Sequence, residues 1–374
     1  MHSLSNEIAR VWAVHKAFFR TFLSKDNTFE GSAEEICREI LDKLWNGDFY
    51  RVGLGHFNFF WARDFGTVTT SLIALGYGER VRATLSWAIE HYIRAGRISL
   101  CITPLGIGFD LPFPAIDALP WFVRSLRAAD MPLSEEIRTF IETELYSYCA
   151  YFLDDEGMPK KNGNYAELRD TVKYHQSAYA VTMLASLVRD LKEYSFPIPP
   201  VLKRDYVAIL KMNYWNGSYF DADIGVHAWS SDANIFPFWL GIIDDASMLH
   251  SMLNTIQVKK LAQPYPIIFS DEPHAFHTRW WGRLNVPNYQ GTTVWTWLGA
   301  MYLQLLKSAH RPEYENESKR FATLIEEHKN FPELLNKDGS WYHSLTYRGE
   351  EGMIWCANYL ALSERVISTT NPIS

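Results

Sequence analysis

Cysteine is scarce. The 374 residues hold four, Cys37, Cys101, Cys149 and Cys356, with no Cys-x-x-Cys pair among them. That spacing excludes a disulfide framework and a cysteine zinc site, and it predicts buried thiols in a reducing compartment. No uninterrupted apolar run of about 18 residues occurs, so no transmembrane helix is expected. An excess of positive charge is also missing. Lys and Arg number 36 against 43 Asp and Glu, for a net charge of −7, which argues against a nucleic-acid partner. The first residues, Met-His-Ser-Leu-Ser-Asn-Glu-Ile-Ala-Arg-Val-Trp, lack the apolar core and small-residue cleavage site of a secretory signal, so the expected location is the cytoplasm. No exact internal repeat is visible.

What the chain does have is apolar and aromatic. Hydrophobic residues make up 47% and charged residues 21%, a globular balance with enough length for a large core. Aromatics reach 15%, including 14 Trp. Most will fill a core, but Trp and Tyr also pair a flat apolar face with a polar edge, which suits sugars.

The dominant period is helical. Ile8, Val11, Trp12, Phe19 and Phe22 share one face. Ser32 and Glu35 form a capping-box pattern, Ser134 is placed as an N-cap, and Gly96 stops the helix carrying Leu85, Ala88, Ile89 and Tyr92. Further helices are predicted near 64–76, 118–129, 172–193, 199–212, 246–257, 290–308, 314–329 and 352–367. The stretch from Thr292 to Leu306 is apolar nearly all round, as a fully buried helix should be. Tyr314 to His328 is charged, with a narrow stripe of Phe321, Leu324 and Ile325. Alternation of these two kinds predicts an all-α, double-ringed barrel of inner and outer helices spanning 1–374 as a single catalytic domain. Twelve helices would use about 31 residues each, a reasonable length with connections included. Long irregular stretches fall at 47–62, 97–116, 153–170, 213–232, 258–290 and 330–350, where a site is expected. Within the last, Gly339 to Gly349 alternates as a short hairpin would.

Four segments carry candidate chemistry. Phe60-Trp61-Ala62-Arg63-Asp64-Phe65 sets a donor beside an acceptor at a helix start, the pairing that vicinal hydroxyls require. In Ile116-Asp117-Ala118-Leu119-Pro120-Trp121-Phe122, Pro120 belongs to a first helical turn, so Asp117 stands at the N-cap. A helix N-terminus lowers a carboxyl pKa, so a general acid there needs burial to outweigh it. Phe331-Pro332-Glu333-Leu334 places a carboxylate after a rigid Pro in a loop. Tyr289-Gln290-Gly291-Thr292-Thr293-Val294-Trp295 leads into the buried helix. Taken alone, each has an ordinary structural explanation as an ion pair, cap, loop acid or core aromatic.

In order along the chain, the four resemble the helical-barrel glycoside hydrolases, a group that includes alkaline and neutral invertases, glucoamylases, debranching amylo-α-1,6-glucosidases and the processing α-glucosidases. The resemblance spans about Phe60 to Leu360. It implies an (α/α)6 barrel and an inverting, exo-acting hydrolase for an α-glucoside, with Asp117 as general acid and Glu333 as general base. It further implies that Arg63 and Asp64 grip the terminal sugar, that Phe60, Trp61, Trp121 and Trp295 supply stacking walls, and that Tyr289 and Gln290 line the pocket. Asp110, Asp170 and His175 are additional pocket candidates, Asp110 also as a rival acid. Neither a metal nor an organic cofactor is implied, and the partner is a small carbohydrate. Gln290 and Thr296 depart from the group's usual residues.

Other features compete. Glu350 and Glu351 are rivals of Glu333, with first-turn residues of the last helix as their structural reading. His274 and His277 give a weak metal signal without a third ligand. Asp221 and Asp223 lack calcium-loop spacing and are expected to form a turn. Two alternative functions stand beside hydrolysis. One is a sugar epimerase of the same barrel, which needs paired pocket histidines; the other is a carbohydrate-binding barrel without catalysis.

Overall fold

The computed structural model describes residues 2–23, 27–263 and 266–363. Fourteen α-helices lie within them. In chain order they are α1 (His2–Leu23), α2 (Ala33–Leu44), α3 (Ala62–Ala74), α4 (Gly78–Ala95), α5 (Ala118–Ala128), α6 (Glu135–Phe152) and α7 (Ala178–Glu193). They continue with α8 (Tyr206–Asn213), α9 (Ser231–Trp239), α10 (Ala246–Val258), α11 (Trp280–Asn285), α12 (Thr296–Ser308), α13 (Glu313–His328) and α14 (Cys356–Leu360).

Burial sorts these helices into two layers. Helices α3, α5, α7, α9, α12 and α14 are buried nearly all round. They contact one another in the order α3, α5, α7, α9, α12, α14 and back to α3, which closes a ring. Between them in sequence come α2, α4, α6, α8, α10 and α13, each with one buried stripe. The result is an (α/α)6 barrel, with α1 and α11 added outside the alternation. Close approach within the ring has a residue-level cause. A Cβ on Gly66 would stand 2.8 Å from the Trp121 ring, so glycine lets α3 press against α5.

The local signals act as the sequence predicts. Ser32 and Glu35 form the reciprocal capping box of α2, Ser134 caps α6, and Gly96 ends α4 with φ of 68°. Boundaries shift elsewhere. The stretch 172–177 is an irregular loop and α7 begins only at Ala178, after Ser177 as N-cap. The predicted 199–212 helix divides into a 3-10 turn and α8. Residues 290–295 are loop and strand, with α12 starting at Thr296. The final helix is short, and the part of its predicted span beyond 363 lies outside the described residues. Periodicity marks no helix between 213 and 245, yet α9 is one of the inner six. Its interior Pro237 removes one backbone donor, and the helix ends two residues later at Trp239.

Short strands fix the entrances of the inner helices. β1 (Phe60–Trp61) leads straight into α3 and pairs with β2 (Cys101–Ile102), which pairs with β3 (Gly108–Phe109), all antiparallel. β4 (Val294–Trp295) leads into α12 and pairs with β5 (Leu334–Leu335), setting Trp295 opposite Leu334. The expected hairpin is reduced to a tight turn, bridged at His343 and Arg348 and at Leu335 and Trp341.

Candidate active site

One cavity of about 810 Å³ opens where the β1–α3 and β4–α12 junctions meet the loops before α7 and α14. Its volume is ordinary for a small-molecule site. Trp61, Arg63 and Asp64 reach it from the start of α3, Asp170 and Thr171 from the loop ahead of α7, and Tyr289, Gln290, Trp295 and Trp297 from the approach to α12. Glu333, Tyr347 and Trp355 complete the floor, and residues of α1 stand at the mouth.

Arg63 is held from behind. Its Nε donates to Asp117 Oδ2 at 2.6 Å, and its Nη2 donates to Asp117 Oδ1 at 3.0 Å and to the Glu167 carbonyl at 2.9 Å. The Tyr179 hydroxyl donates to the same Asp117 Oδ2 at 2.6 Å. Asp117 does occupy the N-cap position of α5, but its side chain caps nothing there and is fully buried. It does not line the cavity. Its oxygens are engaged with the guanidinium and the phenol, so the geometry gives it the work of fixing Arg63. Arg63 Nη1 is left toward the cavity, 3.7 Å from Asp170 Oδ1.

Three carboxyls face the cavity, and each is shifted toward neutrality. Burial pushes Asp170 up to about 7 against the pull of Arg63, with Asp117 and Asp64 adding to the rise. Its Oδ1 has no hydrogen-bond partner, although about a fifth of the side chain remains accessible. Burial likewise raises Asp64 to about 7, opposed by Arg63. Glu333 is raised to about 7, again first by burial. The Tyr289 and Tyr347 hydroxyls and the Glu350 N–H lower it, and the Glu350 charge raises it. Tyr289 donates to Oε1, while Tyr347 at 2.7 Å and the Glu350 N–H at 2.8 Å donate to Oε2. A carboxylate offers about four lone-pair sites, so one remains, on Oε1.

Glu350 lies directly behind Glu333. Burial works to raise its pKa, but His56 and Arg20 hold it below the ordinary value. Arg20 reaches in from α1, 2.8 Å from Glu350 and 2.6 Å from Glu351. Gly53 and Gly55 make room, since a Cβ at Gly55 would lie 2.3 Å from Glu350 Oε1. Helix α14 starts only at Cys356, so Glu350 and Glu351 are buried loop acids and not first-turn residues.

The cavity floor carries unspent hydrogen-bonding capacity. The indole N–H groups of Trp61 and Trp297 are buried without a partner, as is Asp170 Oδ1, while the Trp355 indole is turned to the Asp64 carboxyl. Buried polar atoms are rarely left unpaired in a protein, and such a group concentrated in a cavity points to a polar ligand. Gln290 contributes indirectly. Its Nε2 donates to the Leu168 carbonyl at 2.8 Å, and its Oε1 accepts from the Thr171 hydroxyl at 3.0 Å, which clamps the loop bearing Asp170.

Of the sequence candidates, Trp61, Arg63, Asp64, Asp170, Tyr289, Gln290, Trp295 and Glu333 converge on this cavity. The others stand elsewhere. Phe60 is core, against Phe65. Asp110 pairs with Arg97 and accepts from the Leu100 N–H. Trp121 is core and donates to Tyr179. His175 is exposed, with its backbone N–H on Asp223. Asp223 also accepts from Gln176 and Ile224, the expected turn role. His274 and His277 are exposed and outside the cavity lining. Sequence reasoning missed Phe57, Trp355 and α1 as cavity walls and took Trp297 for core alone. Trp355 carried a usable signal, as an aromatic immediately ahead of an inner helix, like Trp61 and Trp295.

Fold and site together define a helical barrel with a carboxylate-lined, aromatic-floored cavity at one end. Solved structures with this fold include a glycosidase variant in complex with glucose, at TM-score 0.62 and 12% identity, covering 88% of this chain and 95% of that one. A bacterial glucoamylase complexed with acarbose matches at TM-score 0.60 and 12% identity over 88% of this chain, which spans 54% of that longer protein. Mannosylglycerate hydrolase from Thermus thermophilus, in complex with Tris and D-glycerate, matches at TM-score 0.57 and 12% identity, covering 89% of this chain and 100% of that one. No family model and no curated protein sequence matches the chain. Among the described residues no helix is long and apolar enough to cross a membrane.

Proposed function

We propose that this chain is an inverting, exo-acting glycoside hydrolase for a small α-glucoside, with Asp170 as general acid and Glu333 as general base. One observation carries the reading. Of the three carboxyls raised to about 7 around one cavity, Asp170 has an unpartnered oxygen and Glu333 has a single lone pair to spare. A general acid or base works best with its pKa near the operating pH. Asp170 replaces Asp117 in the acid role because it faces the cavity, whereas both Asp117 oxygens are bound by Arg63 and Tyr179. Asp117 becomes a positioning residue.

In the reaction, Asp170 transfers its proton to the glycosidic oxygen as the bond to the anomeric carbon breaks. Water bound to Glu333 Oε1 attacks from the opposite face, and Glu333 takes its proton. The products are a free sugar of inverted configuration and an alcohol. This geometry calls for carboxyls about 6.5–9.5 Å apart. Arg63 Nη1 and the Asp64 carboxyl bind hydroxyls of the terminal sugar, and the Trp61 and Trp297 indole N–H groups donate to it. Glucose and acarbose in the solved structures of like fold support a glucoside, and D-glycerate in a third supports a small leaving group as one option.

An epimerase would need paired histidines at the sugar. The one histidine among the cavity-lining residues is His15, exposed on α1. A purely binding barrel remains distinguishable by experiment. On a panel of α-glucosides, Asp170→Asn and Glu333→Gln are expected to lose about 10²–10⁴-fold in kcat with the fold intact. Full activity in either variant contradicts the assignment, and no hydrolysis by the folded wild type favours the binding reading.

A further inference from the structure

Helix α1 docks with its polar side inward. Arg20 is buried against Glu350, Glu351 and His56, Lys16 bonds Asn58 at 2.5 Å, and Arg10 bonds the Pro112 carbonyl at 3.4 Å. The apolar face of the helix points outward. Ile8, Val11, Trp12, Phe19 and Phe22 are all exposed, and the buried positions are Ala9, Ala13 and Arg20. This inverts the usual amphipathic arrangement. The outward face reaches the cavity. Phe18 and Phe19, 39% and 54% exposed, line its mouth and pack against each other with ring centroids 5.8 Å apart, and Phe18 also packs on Phe22. Leu111, Pro112 and Trp281 also line the cavity, Pro112 beside Arg10 of α1, and Phe57 lines it while packing on Trp61 with ring centroids 4.9 Å apart.

The cavity therefore has two chemically different ends. Asp170, Glu333, Arg63, Asp64 and the unpartnered indoles form a polar floor. The mouth is a wall of aliphatic and aromatic carbon built on a helix that the buried Arg20 pins in place. In an exo-acting hydrolase the terminal sugar occupies the closed end, and the leaving group extends toward the opening. We infer that the mouth is an aglycone site and that the substrate is a glycoside whose leaving alcohol is apolar, an alkyl or aryl group, and not a second sugar or a charged acid. The inference rests on the hydrolase reading above and extends it.

An alkyl series separates this from leaving-group chemistry, since the alcohols differ little in acidity. With methyl, butyl, hexyl and octyl α-glucosides, kcat/KM is expected to climb about three- to four-fold per methylene, the ratio for burying one CH2, until the wall is covered. Maltose is expected to fall below the octyl glucoside by at least about ten-fold. The double variant Phe18→Ser, Phe19→Ser removes exposed rings only. It is expected to keep the wild-type melting temperature while reducing the octyl-to-methyl ratio of kcat/KM about ten-fold. A flat alkyl series, a preference for maltose, or an unchanged ratio in the variant overturns the inference. Calorimetric binding of the same series to Asp170→Asn keeps the two readings apart. Chain-length-dependent binding without wild-type turnover sinks the hydrolase and leaves the apolar site standing, while turnover without chain-length dependence does the reverse.

Discussion

At the scale of single residues, the site turns on carboxyls whose burial is only partly compensated. Glu333 accepts three hydrogen bonds, yet its pKa stands at about 7, well above an ordinary glutamate of about 4.3. The consequence for stability has a definite sign. Between those two values the folded chain holds a proton on Glu333 that the unfolded chain has released. Folding stability therefore falls as pH rises through this window, and above it the full cost of the ionised group is present. Glu333→Gln removes that cost. Denaturant unfolding is expected to show the variant more stable than wild type at pH 8, by up to about 3 kcal/mol, with the gain vanishing near pH 4. A variant less stable at pH 8 than at pH 4, relative to wild type, contradicts the electrostatic account. Asp117 gives the opposite case. Asp117→Ala leaves buried Arg63 without its carboxylate and is expected to cost about 3–5 kcal/mol by the same measurement.

At the scale of elements, the helices most legible in the sequence are those whose caps and stripes are local. The capping box at Ser32 and Glu35, the stop at Gly96 and the stripe of Phe321, Leu324 and Ile325 all stand as read. Illegible were features set by partners far along the chain. Asp117 meets Arg63 and Tyr179, respectively 54 and 62 residues away, and its neighbours Ala118 and Pro120 carry no trace of either. The burial of Arg20 depends on Glu350, 330 residues distant, so the apolar periodicity of α1 gives the helix and not its orientation. α9 was hidden because it is buried nearly all round and carries no one-sided apolar stripe. Helix α1 offers a test at this scale. Arg20→Met leaves Glu350 and Glu351 buried without their shared cation and is expected to cost about 3–5 kcal/mol in denaturant unfolding. Arg10→Ala breaks an exposed pair with Glu7 and one long bond to the Pro112 carbonyl, and is expected to cost no more than about 1 kcal/mol. Equal effects of the two would deny α1 its docked position.

At the scale of the molecule, the closed ring of six inner helices gives the site a rigid base. Helix N-termini from α3, α12 and α14, with the loop ahead of α7, bring Trp61, Arg63, Asp64, Asp170, Trp297 and Trp355 to one cavity from positions spread over nearly 300 residues. The four motifs in order along the chain suggested this barrel, and the solved structures of like fold share it at 12% identity. On the proposed assignment the acid moves from Asp117 to Asp170, because local motif context cannot say which of two aspartates faces the cavity. The central claim is that Asp170 and Glu333 act across one sugar with water between them. Proton NMR of the first sugar released from an α-glucoside tests it most directly. The account predicts β-glucose as the initial product, mutarotating afterwards, and release at least about 100-fold slower from Asp170→Asn or Glu333→Gln. α-Glucose as the first product would contradict it.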